Sequence, residues 1–345
     1  MVYPIVPGHE LAGVCTAVGP GVTKFKVGDR VGVGCMVDSC LECATCKAGE
    51  EQKCSKGNTA TYNGKNKHGR AATHPAGGAT LGGYTTKMVV HERFGVRLPE
   101  GYPLEFAGPV MCAGVTLYDP LKRYGAGAGS HVAIVGLGGL GQMGVRIAKA
   151  MGCHVTAISR LEAKRSLAQD CGADAFIASA NADAMRAAHN TMDLVLNTIP
   201  ADHDYHAFTR LCKRADGKHI ILGLNSALAG AMVVDGLTCG ASRVKMSGIG
   251  GIRATQEVVD LCAKHNIKPV VKIIGPWEIN GVYEELERGN DAGVRHVLDI
   301  GLLNDEAAAK CTAPPPDFTG ADAKGISLGG LMGAAADMFF CGKWL

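Results

Sequence analysis

The chain has 345 residues, 47% of them hydrophobic and 19% charged, with a formal net charge of +3. That length favours two domains, each able to bury its own core. So small a charge, with no run of lysine or arginine, excludes a nucleic-acid-binding arm. No stretch reaches the roughly 20 apolar residues of a membrane span, and residues 1–25 lack the basic, apolar and cleavage-site succession of a secretory signal.

Residues 1–100 alternate short β-branched runs with glycine. Gly13-Val14-Cys15-Thr16-Ala17-Val18 leads into the turn Gly19-Pro20-Gly21, and Asp29-Arg30-Val31-Gly32-Val33 follows. Short strands at this spacing predict a small β-barrel. Inside that region Cys40, Cys43, Cys46 and Cys54 are spaced C-x₂-C-x₂-C-x₇-C. Four thiolates this close in sequence suit the closed tetrahedral shell of a structural zinc, which leaves no position for substrate. Residues 59–78 read as a polar, glycine-rich loop.

From residue 131 the pattern changes. His131-Val132-Ala133-Ile134-Val135 is an apolar run, followed by glycines and a helix-compatible stretch at 144–151. Further apolar runs recur at 153–158, 175–177, 194–196, 219–222 and 243–246, most of them separated by helix-compatible segments. The alternation predicts βαβ units around a parallel sheet buried on both faces. Residues 270–300 read as strand, helix and strand. Residues 301–345, with Pro314-Pro315-Pro316 and a Gly/Ala-rich end, read as a linker and one weak helix.

The chain contains 14 cysteines. Without a secretory leader, metal-bound and buried free thiols in a reducing cytoplasm explain them better than a disulfide scaffold. Cys15, Cys153, Cys171, Cys212, Cys239 and Cys262 are expected to act as small core hydrophobes.

Gly136-Leu137-Gly138-Gly139-Leu140-Gly141 spells G-x-G-x-x-G directly after the 131–135 run and before a helix. In that setting each glycine has a task. The first permits a tight turn, the second lets backbone approach a pyrophosphate, and the third lets the helix pack on the strand. The helix N-terminus offers N–H groups to the phosphates. An NAD site places a carboxylate at the end of the next strand. Here that strand ends in Ser159-Arg160, with Lys164 and Arg165 following, which suits the 2′-phosphate of NADP(H) despite the nearby Glu162.

Gly8-His9-Glu10 precedes the four-cysteine loop, and Cys112-Ala113-Gly114-Val115-Thr116 lies between that loop and the glycine fingerprint. Together with Tyr3-Pro4-Ile5-Val6-Pro7, Gly82-Gly83-Tyr84 and Ser247-Gly248-Ile249-Gly250-Gly251, this order resembles the zinc-dependent medium-chain alcohol dehydrogenases. Within them it is most similar to the NADP-using, cinnamyl-alcohol-dehydrogenase-like branch, over most of residues 2–300.

The resemblance implies an α/β chain: a GroES-like β-barrel catalytic domain at 1–115, a Rossmann doubly wound parallel-sheet domain at 116–265, a return to the catalytic domain at 266–300, and an atypical tail at 301–345. It implies Zn²⁺ at Cys40, Cys43, Cys46 and Cys54, and a catalytic Zn²⁺ at His9 and Cys112 with Glu10 beside them. Around NADP(H) it implies Thr116, Thr198, Gly223, Gly248 and Ile249 at the nicotinamide half, and Ser159, Arg160 and Lys164 at the 2′-phosphate. The partners implied are a small alcohol or aldehyde and a second copy of the chain, with no nucleic acid and no membrane.

The family also has a cysteine ligand in a Cys-His-Ser-Asp-like segment well ahead of the His-Glu pair. The sequence begins close before His9, so that segment lies outside it, and the expected ligands are His9, Glu10 and Cys112. The competing reading is a non-catalytic NADP-binding paralogue, or a truncated gene product, that keeps only the structural zinc. A zinc-ribbon nucleic-acid module fails on charge and on the lack of basic or aromatic residues around the loop.

Overall fold

The computed structural model describes residues 5–73, 78–223, 243–289, 292–303 and 338–341. The chain divides into two compact units: residues 1–111 with 270–345, and residues 112–269.

In the first unit, β1 (Leu11–Val14), β2 (Arg30–Val33) and β5 (Gly95–Arg97) form an antiparallel sheet in the order β1-β2-β5. The shorter strands β3 (Met36–Asp38) and β4 (Thr59–Ala60) pair separately. Leu11 lies opposite Val33 across the β1–β2 ladder. Both are buried with Val37 and Ala71 beneath Met88 and Val90. The strand expected at 13–18 ends at Val14 instead. Past that point Thr16, Ala17 and Val18 are exposed, so no core face holds them in the sheet, although Cys15 N–H still donates to Asp29 O at 2.8 Å. Cys15 is accordingly half-exposed and not a core residue. Cys153, Cys171, Cys212 and Cys262 are buried, and Cys239 lies outside the described residues.

Helix α2 (Leu104–Pro109) runs into a π-helical turn (Val110–Gly114) and then α3 (Val115–Arg123). Pro109 has no N–H to give to the preceding turn, and the bonding pattern widens just after it, as occurs in helices at functional sites.

Among the described residues the second unit holds a six-stranded, wholly parallel sheet. Its strands are β6 (His131–Val135), β7 (His154–Ser159), β8 (Ala175–Ala178), β9 (Leu194–Asn197), β10 (Lys218–Ile221) and β11 (Val244–Met246). Their spatial order is β11-β10-β9-β6-β7-β8. Counted from β6 this is the 3-2-1-4-5-6 order of a doubly wound fold, whose ligand crevice lies where the winding reverses, at the carboxyl ends of the first and fourth strands. Those strands are β6 and β9. Val132, Ala133 and Ile134 are fully buried, because helices cover both faces of the sheet and leave no solvent side for alternation. Each such valine or isoleucine contributes about 1.5–3 kcal/mol on burial.

Helix α4 (Gly139–Ala150) follows β6 and begins five residues before the expected 144–151. Its first turn is glycine-rich and intrinsically poor at helix formation, so packing rather than propensity sets the start. Among the described residues the unit also holds α3 and the helices α5 (Arg165–Asp170), α6 (Ala182–Ala187), α7 (Tyr205–Thr209) and α8 (Ile252–Lys264).

The chain then returns to the first unit through β12 (Val271–Ile274), α9 (Ile279–Arg288) and β13 (Arg295–Asp299). Ile274, Val282, Leu286 and Leu298 form its core, with Tyr84 and Tyr283 packed alongside, their hydroxyls 2.8 Å apart. Of the tail, residues 304–337 and 342–345 lie outside the described residues. Met338–Cys341 forms β14, a parallel neighbour of β13, where a weak helix was expected. No helix among the described residues is long and apolar enough to cross a membrane.

Candidate metal centres and dinucleotide site

The dinucleotide turn sits at the reversal point of the sheet. Gly136, next after β6, has φ +91°, a conformation that glycine adopts without steric cost. Thr198, next after β9, donates from Oγ1 to Val135 O at 2.8 Å and from its N–H at 2.9 Å, which ties the two strand ends together. Gly138 is the N-cap of α4 with nothing within 4 Å of where a side chain would begin. A Cβ on Gly141 would lie 1.9 Å from Gly136 O. The turn therefore combines a left-handed corner, an open approach and a helix packed onto the corner's own backbone. Leu137 is buried beneath it, while Gly139 and Leu140 open the helix.

A buried polar network stiffens the neighbouring strand ends, and the sequence reading did not anticipate it. Asn197 Nδ2 donates to His219 Nε2 at 3.2 Å and to His203 Nε2 at 2.9 Å. With Nε2 accepting, His219 carries its proton on Nδ1 and donates it to Thr209 Oγ1 at 2.9 Å. Asn197 Oδ1 accepts from Ile199 N–H at 3.2 Å, fixing the bend that presents Thr198. Gly223, buried after β10, lies so close that a Cβ there would meet Ile199 O at 2.0 Å.

On the far side of β6, Ser159 ends β7 half-exposed and Arg160 is exposed just beyond it. Lys164 closes the 3₁₀ turn Glu162–Lys164. Glu162 pairs with Arg165, so its carboxylate is engaged within its own turn. Thr116 lies buried on α3, and the 247–251 turn rests against the same helix: a Cβ on Gly250 would meet Val115 Cγ2 at 2.6 Å. This packing brings Gly248 and Ile249 to the helix that carries Thr116.

In the first unit the four cysteines of the 40–54 loop converge, their sulfurs all within 4.8 Å of one another. Cys40 and Cys46 Sγ stand 3.8 Å apart. Sulfurs around a tetrahedral zinc at about 2.3 Å are separated by about 3.8 Å, so the residues fit that ion. Leu41 is held at φ +60°, a left-handed conformation that costs a non-glycine residue about 1–2 kcal/mol. That bend aims Cys43 N–H at Cys40 Sγ, 3.4 Å away, and Cys40 N–H points at Cys54 Sγ at the same distance. Cys46 rides on α1 (Ala44–Lys47), and Cys54 follows a 3₁₀ turn (Glu51–Lys53).

Arg70 anchors the loop from behind, donating to Ser39 O at 3.0 Å and Cys40 O at 3.3 Å, with Nε 3.5 Å from the fully buried Asp38 carboxylate. The Thr45 hydroxyl, and then the N–H groups of Cys46 and Ser55, hold Cys43 down to about 4. Burial pushes Cys46 up to about 12. A divalent cation among the four thiolates offsets that burial cost.

The second cluster differs from expectation. Within the first unit a ring nitrogen of His9 and the sulfur of Cys35 lie within 4.8 Å of each other, both residues half-exposed. Cys112, the third residue expected here together with His9 and Glu10, is half-exposed and opens the second unit. A Cβ on Gly34 would lie 3.1 Å from Met111 O, so the 34–35 backbone rests directly on the residue before Cys112. The His9 ring stacks on Tyr62 at 5.8 Å. Glu10, expected as a ligand, is 1% exposed with Oε1 3.6 Å from His9 Nε2, and it is not a member of the group. The sequence reading missed Cys35. Its only local signal was a Gly-Cys step between two strands, which many structural cysteines share.

Residues 1–100 match the family described as alcohol dehydrogenase GroES-like domain, and residues 139–264 the family described as zinc-binding dehydrogenase. An NADP-dependent alcohol dehydrogenase C of Mycobacterium bovis is 43% identical over 303 residues, covering 87% of this chain and 84% of that protein. Among solved structures, a cinnamyl alcohol dehydrogenase of Sorghum bicolor superposes with TM-score 0.75 at 39% identity, covering 86% of this chain and 81% of the other. A cinnamyl alcohol dehydrogenase of Helicobacter pylori complexed with NADP(H) superposes with TM-score 0.73 at 35% identity, with the same coverages of 86% and 81%. The glycine turn at a doubly wound reversal point, the four-thiol loop and these likenesses agree: the chain belongs to the zinc-dependent medium-chain alcohol dehydrogenases, in their cinnamyl-alcohol-dehydrogenase-like branch.

Proposed function

We propose that this chain interconverts a primary alcohol, aliphatic or aromatic, and its aldehyde by hydride transfer to or from NADP(H). The observation that carries the reading is the dinucleotide turn at the reversal point of a parallel sheet, in a chain whose first unit also holds the four-thiol loop and the half-exposed His9. The NADP dependence and cinnamyl alcohol activity in the relatives' names support it. A closed four-thiol cluster suits a structural zinc, whereas three ligands and an open position suit a catalytic one.

In this reading Cys40, Cys43, Cys46 and Cys54 hold the structural ion, and His9 and Cys112 hold the catalytic ion with Glu10 beside the imidazole. When bound, zinc supplies Lewis acidity toward an alcohol or carbonyl oxygen and the nicotinamide carries the hydride. The chain's own residues do the positioning. Gly136, Leu137, Gly138, Gly139, Leu140 and Gly141 present the N–H groups of α4 to the pyrophosphate. Ser159, Arg160 and Lys164 offer a hydroxyl and two cations to the 2′-phosphate. Thr116, Thr198, Gly223, Gly248 and Ile249 shape the nicotinamide half. The Tyr62 ring and the Glu10 carboxylate hold the orientation of His9, as partners of metal-bound imidazoles do.

The reading extends to a cytoplasmic homodimer. None of the cysteines whose side chains are described is in a disulfide, which suits a reducing compartment. β11 is the end strand of its sheet among the described residues, and its open side is a template for pairing with a second copy.

NADPH oxidation with benzaldehyde and with a short aliphatic aldehyde, in wild type and Cys112→Ala, tests the reading. Turnover in the wild type that Cys112→Ala abolishes is the expected result. Turnover that survives the substitution refutes the zinc assignment. NADPH binding without turnover in the wild type supports the non-catalytic alternative instead.

A further inference from the structure

The geometry points to Tyr84 and Tyr283 as positioning residues for the His9–Glu10 pair, which they tie through one hydroxyl–hydroxyl hydrogen bond to helix α9. This inference rests on the role proposed above for His9. Every residue it uses lies in the first unit.

The Gly82-Gly83-Tyr84 step is laid along the strip of chain that carries His9. Gly82 N–H donates to Val6 O at 2.7 Å, Gly83 N–H to Gly8 O at 3.0 Å and Tyr84 N–H to Pro7 O at 3.0 Å. Two glycines allow so close an approach: a Cβ on Gly82 would meet Gly8 O at 2.3 Å, and one on Gly83 would meet Leu11 Cγ at 2.5 Å. These contacts bracket His9 and Glu10 from both sides. Gly8 turns the backbone at φ +99°, a conformation that glycine adopts without steric cost. The Tyr84 ring takes the space a side chain there would need, since a Cβ on Gly8 would lie 2.7 Å from Tyr84 Cδ1.

Backbone hydrogen bonds fix the step, but the direction of the Tyr84 ring depends on its far end. There its hydroxyl lies 2.8 Å from that of Tyr283 on α9, and both rings pack on Ile274, Val282, Leu286 and Leu298. Tyr283 is therefore held by a core to which His9 contributes nothing. A phenol is rigid from Cβ to oxygen, so pinning the hydroxyl also pins the ring that rests on Gly8. Burial first, then Tyr283, Tyr62 and Glu10, push the Tyr84 phenol above its ordinary range, so it stays a neutral hydroxyl. Tyr62 and Glu10 are the two groups that flank His9, the first stacked on its ring at 5.8 Å and the second with Oε1 3.6 Å from Nε2. Such outer partners orient an imidazole that binds metal, and the tyrosine pair extends that support to α9.

Tyr283→Phe and Tyr84→Phe each remove one oxygen and keep the ring, so the packing stays and the bond goes. Urea midpoints check that both variants of the full, zinc-loaded chain are folded. The imidazole NMR signal of His9, assigned by its disappearance in His9→Asn, should shift in both variants, while those of His131 and His154 in the second unit should not. The kcat for benzaldehyde reduction should fall about tenfold, since a misplacement of about 1 Å costs up to about 100-fold. The KM for NADPH should hardly change, because the cofactor's own contacts are untouched. The double variant should be no worse than either single one, since all three lack the same bond.

An unmoved His9 signal in both variants overturns the tie, whatever happens to turnover. A moved signal with wild-type kcat overturns the positioning role and leaves the proposed reaction standing. A wild type that binds NADPH without turnover, but whose His9 signal still moves in both variants, refutes the dehydrogenase reading and upholds the tie.

Discussion

Gly141→Ala should damage both stability and cofactor binding, although alanine is the better helix former by about 1 kcal/mol. The added Cβ would sit 1.9 Å from Gly136 O and 2.8 Å from Gly136 C, where real Cβ atoms do not come closer than 3.0 Å. The start of α4 must therefore withdraw by at least 3.0 − 1.9 = 1.1 Å. The obstacle is backbone, and Gly136 is committed to φ +91° by the turn, so no rotamer change relieves the overlap. Crowding a packed site costs about 1–3 kcal/mol and more where nothing can yield. Because the obstacle is unyielding backbone, the upper end of that range applies, and after the helix gain is subtracted a loss of about 2 kcal/mol remains.

The same withdrawal moves the N–H groups meant for the pyrophosphate, and a misplacement of about 1 Å costs up to about 100-fold in function. Urea denaturation reads the first effect and NADPH fluorescence titration the second. Gly138→Ala is the contrasting case. At φ −77° with nothing within 4 Å, it should fold as well as the wild type yet lose NADPH affinity, because its methyl occupies the approach path. Wild-type stability and wild-type NADPH affinity in Gly141→Ala would refute the packing argument. Undiminished NADPH binding in Gly138→Ala would refute the position of the phosphates.

Arg160→Ala should raise the KM for NADPH about tenfold, equivalent to about 1.4 kcal/mol, with little change for NADH; equal effects on both cofactors would remove Arg160 from the 2′-phosphate site. Asp174 accepts from Val155 N–H at 2.7 Å and pairs with Lys149 at 2.8 Å. Burial pushes its pKa up, but the Lys149 ammonium and the Val155 N–H outweigh it and hold the carboxyl below its ordinary value of 3.8. A depressed folded-state pKa stabilises above the unfolded value and loses that contribution as pH falls through the folded one. Asp174→Asn should therefore cost about 1–2 kcal/mol at pH 7, with the difference from wild type shrinking as pH falls below 3.8 and through the lowered folded-state value; a gap that does not shrink in acid would contradict the ion pair. Cys46→Ser removes a thiol that is 1% exposed at the centre of the four-cysteine cluster. It should lose one zinc per chain and open residues 40–54 to limited proteolysis, and retention of that zinc would refute the closed cluster.

Patterns confined to a few neighbouring residues were legible before any fold was known. The spacing of Cys40, Cys43, Cys46 and Cys54 carries its own geometry, because ligands a few residues apart need only local turns to converge. The glycine fingerprint after a β-branched run is equally local, since the turn, the approach and the helix contact all involve residues 136–141. The buried run at 131–135 announced a two-faced sheet because the absence of alternation is itself a burial pattern.

Where packing outweighed propensity, the reading drifted. Helix α4 begins at Gly139 despite its glycines, β1 stops at Val14 where its cover ends, and Met338–Cys341 pairs with β13 as a strand. The Asn197–His219–Thr209 network was invisible for the same reason: its members meet only once β9, β10 and α7 are laid side by side. The chemistry-bearing positions of a dehydrogenase were thus written into short stretches of sequence, whose ligands and turns need only their neighbours. That Cys35 stands beside His9 was decided by tertiary structure alone. Cys35 is held there because Gly34 lies on Met111 and Thr61 fastens the strand step, and contacts between residues so far apart in the chain leave no periodicity to read.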